Sequence, residues 1–135
     1  IRAGSDPDVG DDVYNTTAVG QKAEATVMAS PGARATFTVT FQNDGTGAER
    51  FRVLGQGTTA AFRVVYLAGG VDVTPQVVSG TYVTARLEPG ATTTLTLRII
   101  YKSGGPGTSI GRTVTAVSRS DPTKADAVRA KVEVL

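Results

Sequence analysis

Apolar and polar side chains alternate one by one along most of this chain, in stretches of about eight to ten residues that stop at Gly- or Pro-bearing turns. In Ala35-Thr36-Phe37-Thr38-Val39-Thr40-Phe41, the residues Phe37, Val39 and Phe41 fall on one side and the three threonines on the other. Successive side chains of an extended chain point to opposite faces, so a period of two specifies a strand with one dry face and one wet face. The same alternation recurs at Phe62, Val64 and Tyr66. It returns at Leu95, Leu97 and Ile99 between Thr94, Thr96 and Arg98, and at Val128, Ala130, Val132 and Val134 between Arg129, Lys131 and Glu133.

Turn chemistry divides this pattern into eight predicted strands, at 22–29, 33–42, 49–54, 61–67, 81–87, 91–101, 111–118 and 125–134. The separators include Ser30-Pro31-Gly32, Asn43-Asp44-Gly45, Glu88-Pro89-Gly90 and Asp121-Pro122-Thr123-Lys124. Pro presets φ and Gly supplies positive φ, so each separator has a mechanism for reversing the chain. A short extended piece is expected at 71–73, and no window carries a helical period over eleven residues. Seven to eight short strands at this spacing predict an all-β fold, an immunoglobulin-like antiparallel two-sheet sandwich over 20–135, preceded by an N-terminal extension at 1–19. Phe37, Val39, Phe41, Val53, Leu97, Val114 and Val132 share one phase and are expected in a single core.

With 135 residues the chain has the size of one domain. Such a domain buries a sufficient core without disulfide staples. It has no Cys, which removes disulfides, thiolate metal sites and Cys nucleophiles, and no His, which removes the commonest general base and transition-metal ligand. No convincing acid pair replaces them, so an enzyme is not expected. Trp is absent and Thr is abundant, with 20 residues. The net charge of +2 is small, and basic residues are not interleaved with stacking aromatics, so nucleic-acid binding is not expected either. No apolar run reaches the ~18 residues that a membrane-spanning helix needs. The chain opens on Ile1 instead of Met, as expected of a piece excised from a longer product.

Charge is unevenly distributed. Residues 1–24 carry two basic and five acidic side chains, a balance of −3, whereas residues 98–135 carry seven basic and three acidic ones, a balance of +4. The acidic turn-rich stretch at 6–12 supplies Asp6, Asp8, Asp11 and Asp12 as candidate Ca²⁺ ligands, because a hard cation collects carboxylate oxygens, although the spacing is not that of an EF-hand loop. No other cofactor is indicated. A short strand is expected at 13–17. An arm so rich in Asp, Gly and Pro has little apolar surface of its own to bury, so outside contacts are expected to order it. Val9, Val13 and Tyr14 of the arm, with Val134 and Leu135 of the last strand, are the candidate assembly interface. Tyr66, Tyr82 and Tyr101 are the candidate platform for a sugar ring.

The run from Pro31-Gly32-Ala33 to Phe41, followed by Asn43-Asp44-Gly45, resembles the front half of bacterial extracellular immunoglobulin-like repeats, including the cell-adhesion-related (CARDB) type. Leu87-Glu88-Pro89-Gly90, the Thr-rich strand after it, and Val117-Ser118-Arg119-Ser120-Asp121-Pro122 resemble the back half. Val9-Gly10-Asp11-Asp12-Val13-Tyr14-Asn15 with Gly20-Gln21 is similar to a spacer between tandem copies of such repeats. The resemblance implies a secreted or cell-surface bacterial protein with structural, adhesive or spacer duty. The expected function is a structural module, either a filament subunit that polymerises head to tail or one repeat of a tandem extracellular array, whose partners are other copies or adjacent repeats. A carbohydrate-binding accessory module, with polysaccharide as partner, is the alternative.

Overall fold

A computed structural model describes residues 1–135. In chain order the elements are β1 (Arg2–Ala3), β2 (Lys22–Val27), β3 (Arg34–Gln42), β4 (Phe51–Gly55), β5 (Phe62–Ala68), β6 (Val71–Asp72), α1 (Thr74–Ser79), β7 (Tyr82–Val83), β8 (Thr92–Tyr101), β9 (Ser109–Ser118) and β10 (Ala125–Val134). They form two five-stranded sheets, β1-β3-β8-β5-β6 and β2-β10-β9-β4-β7, packed face to face. Period-two burial runs along β3, where Ala35, Phe37, Val39 and Phe41 are buried between more exposed neighbours. All seven core residues named from the alternation lie in one cluster of 22 buried side chains, and Phe37, Val53, Leu97 and Val132 are wholly inaccessible to solvent. The immunoglobulin-like sandwich expected from the sequence is therefore present.

One pairing differs from the all-antiparallel expectation. Strand β10 lies antiparallel to β9 on one side, but β2 runs parallel to it on the other, with Arg129–Val134 beside Lys22–Val27 in continuous register. An antiparallel neighbour would have to set out from the end where β10 stops. Residues 15–21 are instead held where β10 starts, so β2 sets out in the same direction.

The N-terminal segment is the larger correction. Residues 1–19 are not an arm that waits for outside contacts. Ile1 is 5 % exposed and belongs to the core cluster. Arg2 and Ala3 pair with Thr38 and Phe37 at the edge of the first sheet, and the Gly4 nitrogen donates to the Thr36 carbonyl at 2.8 Å. Ala18 is buried as well. The composition argument fails because Ile1, Ala3 and Ala18 of this segment are buried in the domain itself, while main-chain bonds hold much of the remainder. The strand expected at 13–17 is instead a loop stapled by Asn15. The Asn15 Oδ1 accepts from the Thr17 and Val19 nitrogens, and its Nδ2 donates to the Val19 carbonyl at 2.9 Å.

Two other segments depart from the alternation. Thr74–Ser79 forms one helical turn and a half, with Pro75 in its first turn and Gly80 ending it in the left-handed region at φ 75°. Six residues are too few for a helical period to register in the sequence. The strand expected at 81–87 shortens to Tyr82–Val83, plus an isolated bridge from Leu87 to Glu49. Its interior position Thr84 turns inward, where its hydroxyl accepts from the Phe51 nitrogen at 3.1 Å.

Candidate functional site

The two ends of the sandwich differ in chemistry. At the exit end, where β10 finishes, the Leu135 nitrogen donates to the Val27 carbonyl at 2.9 Å and the Gly107 nitrogen to the Val134 carbonyl at 2.8 Å. At the opposite, entry end, residues 8–14, the loop at 43–49 and the β9–β10 turn surround a cleft of about 1110 Å³ between the sheets. Its floor is apolar, with Ile1, Val9, Phe41, Phe51, Ala116 and Val128. Its wall and rim carry Asp8, Asp11, Asp12, Asp44, Glu49, Asp121 and Asp126, against the ammonium groups of Lys124 and of the Ile1 N-terminus.

Local hydrogen bonding explains why these residues hold their places. Asp126 latches the incoming chain: its Oδ1 accepts from the Asn15 nitrogen at 3.0 Å, from the Gln21 Nε2 at 2.7 Å and from the Ala127 nitrogen at 3.0 Å. The Ala127 nitrogen also donates to the Asn15 carbonyl at 2.8 Å. Gln21 is fully buried, and its Oε1 has no partner. Gly10 sits directly over this side chain at φ 89°, and a Cβ there would come within 2.7 Å of the Gln21 Cγ. Opposite, Asn43 is 3 % exposed and spans its loop, with Nδ2 donating to the Gly47 and Leu87 carbonyls at 2.8 and 2.9 Å and Oδ1 accepting from the Gly45 nitrogen. The Tyr14 hydroxyl ties the 8–14 segment to the 43–49 loop by donating to Asp44, and this bond, with the nearby carboxylates, raises its pKa far above the ordinary phenol value.

Glu49 is the most perturbed carboxylate of the cleft. Ser120 and Ser118 donate their hydroxyls to its Oε2, at 2.5 and 2.7 Å, and hold its pKa down at about 2. A carboxylate held so low is a weak base, and both hydroxyl protons are committed to it. This Ser/Glu grouping therefore braces the β9–β10 turn and does not activate a nucleophile. Glu49 lies 69 positions from Ser118 and 71 from Ser120 in the sequence, and no signal in it points to their meeting.

The expected site residues fare differently. Asp6, Asp8, Asp11 and Asp12 do not converge, because the structure forms no group of three or more acidic side chains disposed to hold a metal ion. Asp8 faces Arg2 at 3.8 Å, and Asp12 lies 3.4 Å from the Tyr14 hydroxyl. Of the candidate interface, Val134 is in the core at 2 % exposure and so presents no side chain to a partner, since its phase is that of Val128 and Val132. Tyr14 and Leu135 are well exposed, Val13 moderately so, and Val9 lines the cleft. Tyr66 and Tyr101 form no sugar platform. Both follow the dry phase of their strands and are buried, with the Tyr66 hydroxyl donating to the Gln56 carbonyl at 2.7 Å and the Tyr101 ring edge-on to Phe62 at 5.9 Å. The opposite charges of the terminal segments also meet within one molecule. Because β2 adjoins β10, Glu24, which is 2.6 Å from Lys22 of its own strand, also lies 3.9 Å from Lys131.

No family model matches the chain, and no curated protein matches it in sequence. Solved structures do match in shape. The N-terminal domain of PorA superposes with a TM-score of 0.55 at 14 % identity, over 94 % of this chain and 94 % of that one. The secreted serine protease VesC from Vibrio cholerae matches with a TM-score of 0.52 at 16 % identity, over 85 % of this chain. A family 123 glycoside hydrolase from Clostridium perfringens matches with a TM-score of 0.58 at 6 % identity, again over 85 %. This chain spans only 22 % and 23 % of the lengths of those two enzymes. At such identities the shared property is the fold, an immunoglobulin-like sandwich that in these structures is one part of a larger protein. The cell-adhesion-related type within that class finds no match. No helix is long and apolar enough to cross a membrane.

Proposed function

We propose that this chain is a non-catalytic structural module of a secreted or cell-surface protein, joined end to end with further modules and passing tension along its long axis. The observation that carries this reading is the parallel pairing of β2 with β10, together with the entry of the chain at one end of the sandwich and its exit at the other. Force applied outward at the two ends runs along these strands. It draws β2 towards the entry end and β10 towards the exit end, so the ladder of bonds between residues 22–27 and 129–134 is sheared as a unit. Strand β1 lies along the same axis against β3 and meets the force in the same way. Secretion is supported by the turn motifs that resemble extracellular bacterial repeats, and the accessory role by the enzymes in which a domain of this fold is a minor part of the chain. A filament of separate subunits would use the same axial geometry without covalent links.

Single-molecule pulling tests the reading. The chain has no Cys, so handles at introduced Cys residues are unique. Pulling at the two termini should need a clearly higher unfolding force than pulling between Lys22→Cys and Lys124→Cys, which lie at the same end and open the β2–β10 ladder one bond at a time. Forced unfolding reports the barrier to unfolding, which is the quantity such a module needs. Equal forces in the two directions would remove the tension-bearing role.

A further inference from the structure

The entry-end cleft is apolar within and acidic around it, and the exit end of the same molecule carries protruding apolar side chains among basic ones. We propose that the cleft receives the exit end of a preceding copy of this chain, so that consecutive modules seat head to tail. Three observations carry the proposal. The cleft joins an apolar floor to seven carboxylates, set against the Lys124 ammonium and the Ile1 N-terminus. At the exit end the loops at 28–34, 56–63 and 100–109 carry Arg34, Arg63 and Lys102, with Glu133 of β10, beside Ser109, as a nearby carboxylate. Met28 and Leu135 protrude there, 67 % and 64 % exposed.

Aliphatic tips framed by cations fit an apolar floor framed by carboxylates. The same charges oppose seating two entry ends or two exit ends together. The contact is heterologous, so it repeats without closing on itself. Isolated copies should associate weakly, because the tips offer much less area than a stable interface needs. A direct covalent link supplies an effective concentration in the millimolar range, at which a small contact suffices. The proposal rests on the end-to-end reading above but is tested separately, since a single copy can resist tension whether or not copies seat on one another.

The test is a two-copy chain with Leu135 of the first copy joined directly to Ile1 of the second, compared by ¹⁵N relaxation and amide shifts with the single copy. The expected result is a pair that tumbles as one elongated body, with shifts at Gly10–Asp12 and Asp44 of the second copy. Lys102→Glu in the first copy, or Asp11→Lys in the second, should restore independent tumbling. Both side chains are exposed, so single-copy melting should stay unchanged. Independent tumbling of the unaltered pair would overturn the proposal. So would seating that ignores both charge reversals, or cleft amides of a single copy that shift on addition of calcium chloride, which would make the cleft a cation site.

Discussion

At the residue scale, close packing leaves little freedom. A Cβ at Gly55 would come within 2.6 Å of the Tyr66 hydroxyl oxygen and 2.8 Å of the Val77 Cγ1. Neither neighbour can retreat, because Tyr66 and Val77 are both fully buried. Gly55→Ala should therefore lower the unfolding free energy by about 2 kcal/mol in a urea titration, through overpacking. Glu49 gives a pH dependence. Its folded pKa of about 2 lies below its ordinary value of 4.5 because of the Ser120 and Ser118 hydroxyls. A depressed carboxylate pKa contributes stability that is complete above the unfolded value and is lost as pH falls through the folded one. The window is therefore from about pH 4.5 down to about 2. Replacing Glu49 by Gln should flatten the fall in melting temperature across that window and leave the slope above it unchanged. The effect should be modest, since the group is open to solvent.

At the element scale, the N-terminal segment is part of the sandwich. Its removal strips Ile1 and Ala3 from the core, the edge pairing on β3 and the Asn15 bond to Asp126. Burial of Ile1 alone is worth about 2 kcal/mol, and the main-chain bonds add to it. A chain beginning at residue 20 should therefore unfold at lower denaturant, with a stability loss of about 3 kcal/mol or more. An unchanged midpoint would show that the segment only rests on the surface. Asp126→Ala should produce a more local effect. Hydrogen-exchange protection should fall at the Asn15 main-chain amide and the Gln21 side-chain amide, which lose their acceptor, while the centres of β3 and β8 stay protected.

At the scale of the whole molecule, direction is the property that matters. Strand β2 starts and β10 ends at opposite poles, so the molecule has an axis, and both terminal strands are bonded along it. Pulling and two-copy tumbling read different parts of this design. The first depends on the β2–β10 ladder inside one module, and the second on the chemistry of the two poles. The apparent charge asymmetry of the sequence belongs partly to the first. Glu24 and Lys131, assigned by sequence to opposite ends, are neighbours across one edge of the second sheet. What remains for the poles is the acidic cleft and the basic exit loops.

Alternation and turn residues by themselves determined the fold class, because burial on one face and exposure on the other is written into every second residue of β3, β8 and β10. They also placed Phe37, Leu97 and Val132 in one core. Alternation says nothing about which strand lies beside which, so the parallel β2–β10 pair and the capture of Ile1 were decided only in three dimensions. The six-residue helix and the inward turn of Thr84 are likewise too short to leave a period. The cleft was least legible of all. Asp44, Glu49, Ser118 and Asp126 are separated by up to 82 positions and share no local pattern. Only the packing of two sheets brings their loops to one end, and the reach of short side-chain hydrogen bonds then decides which carboxylates brace the fold and which stay free at the rim.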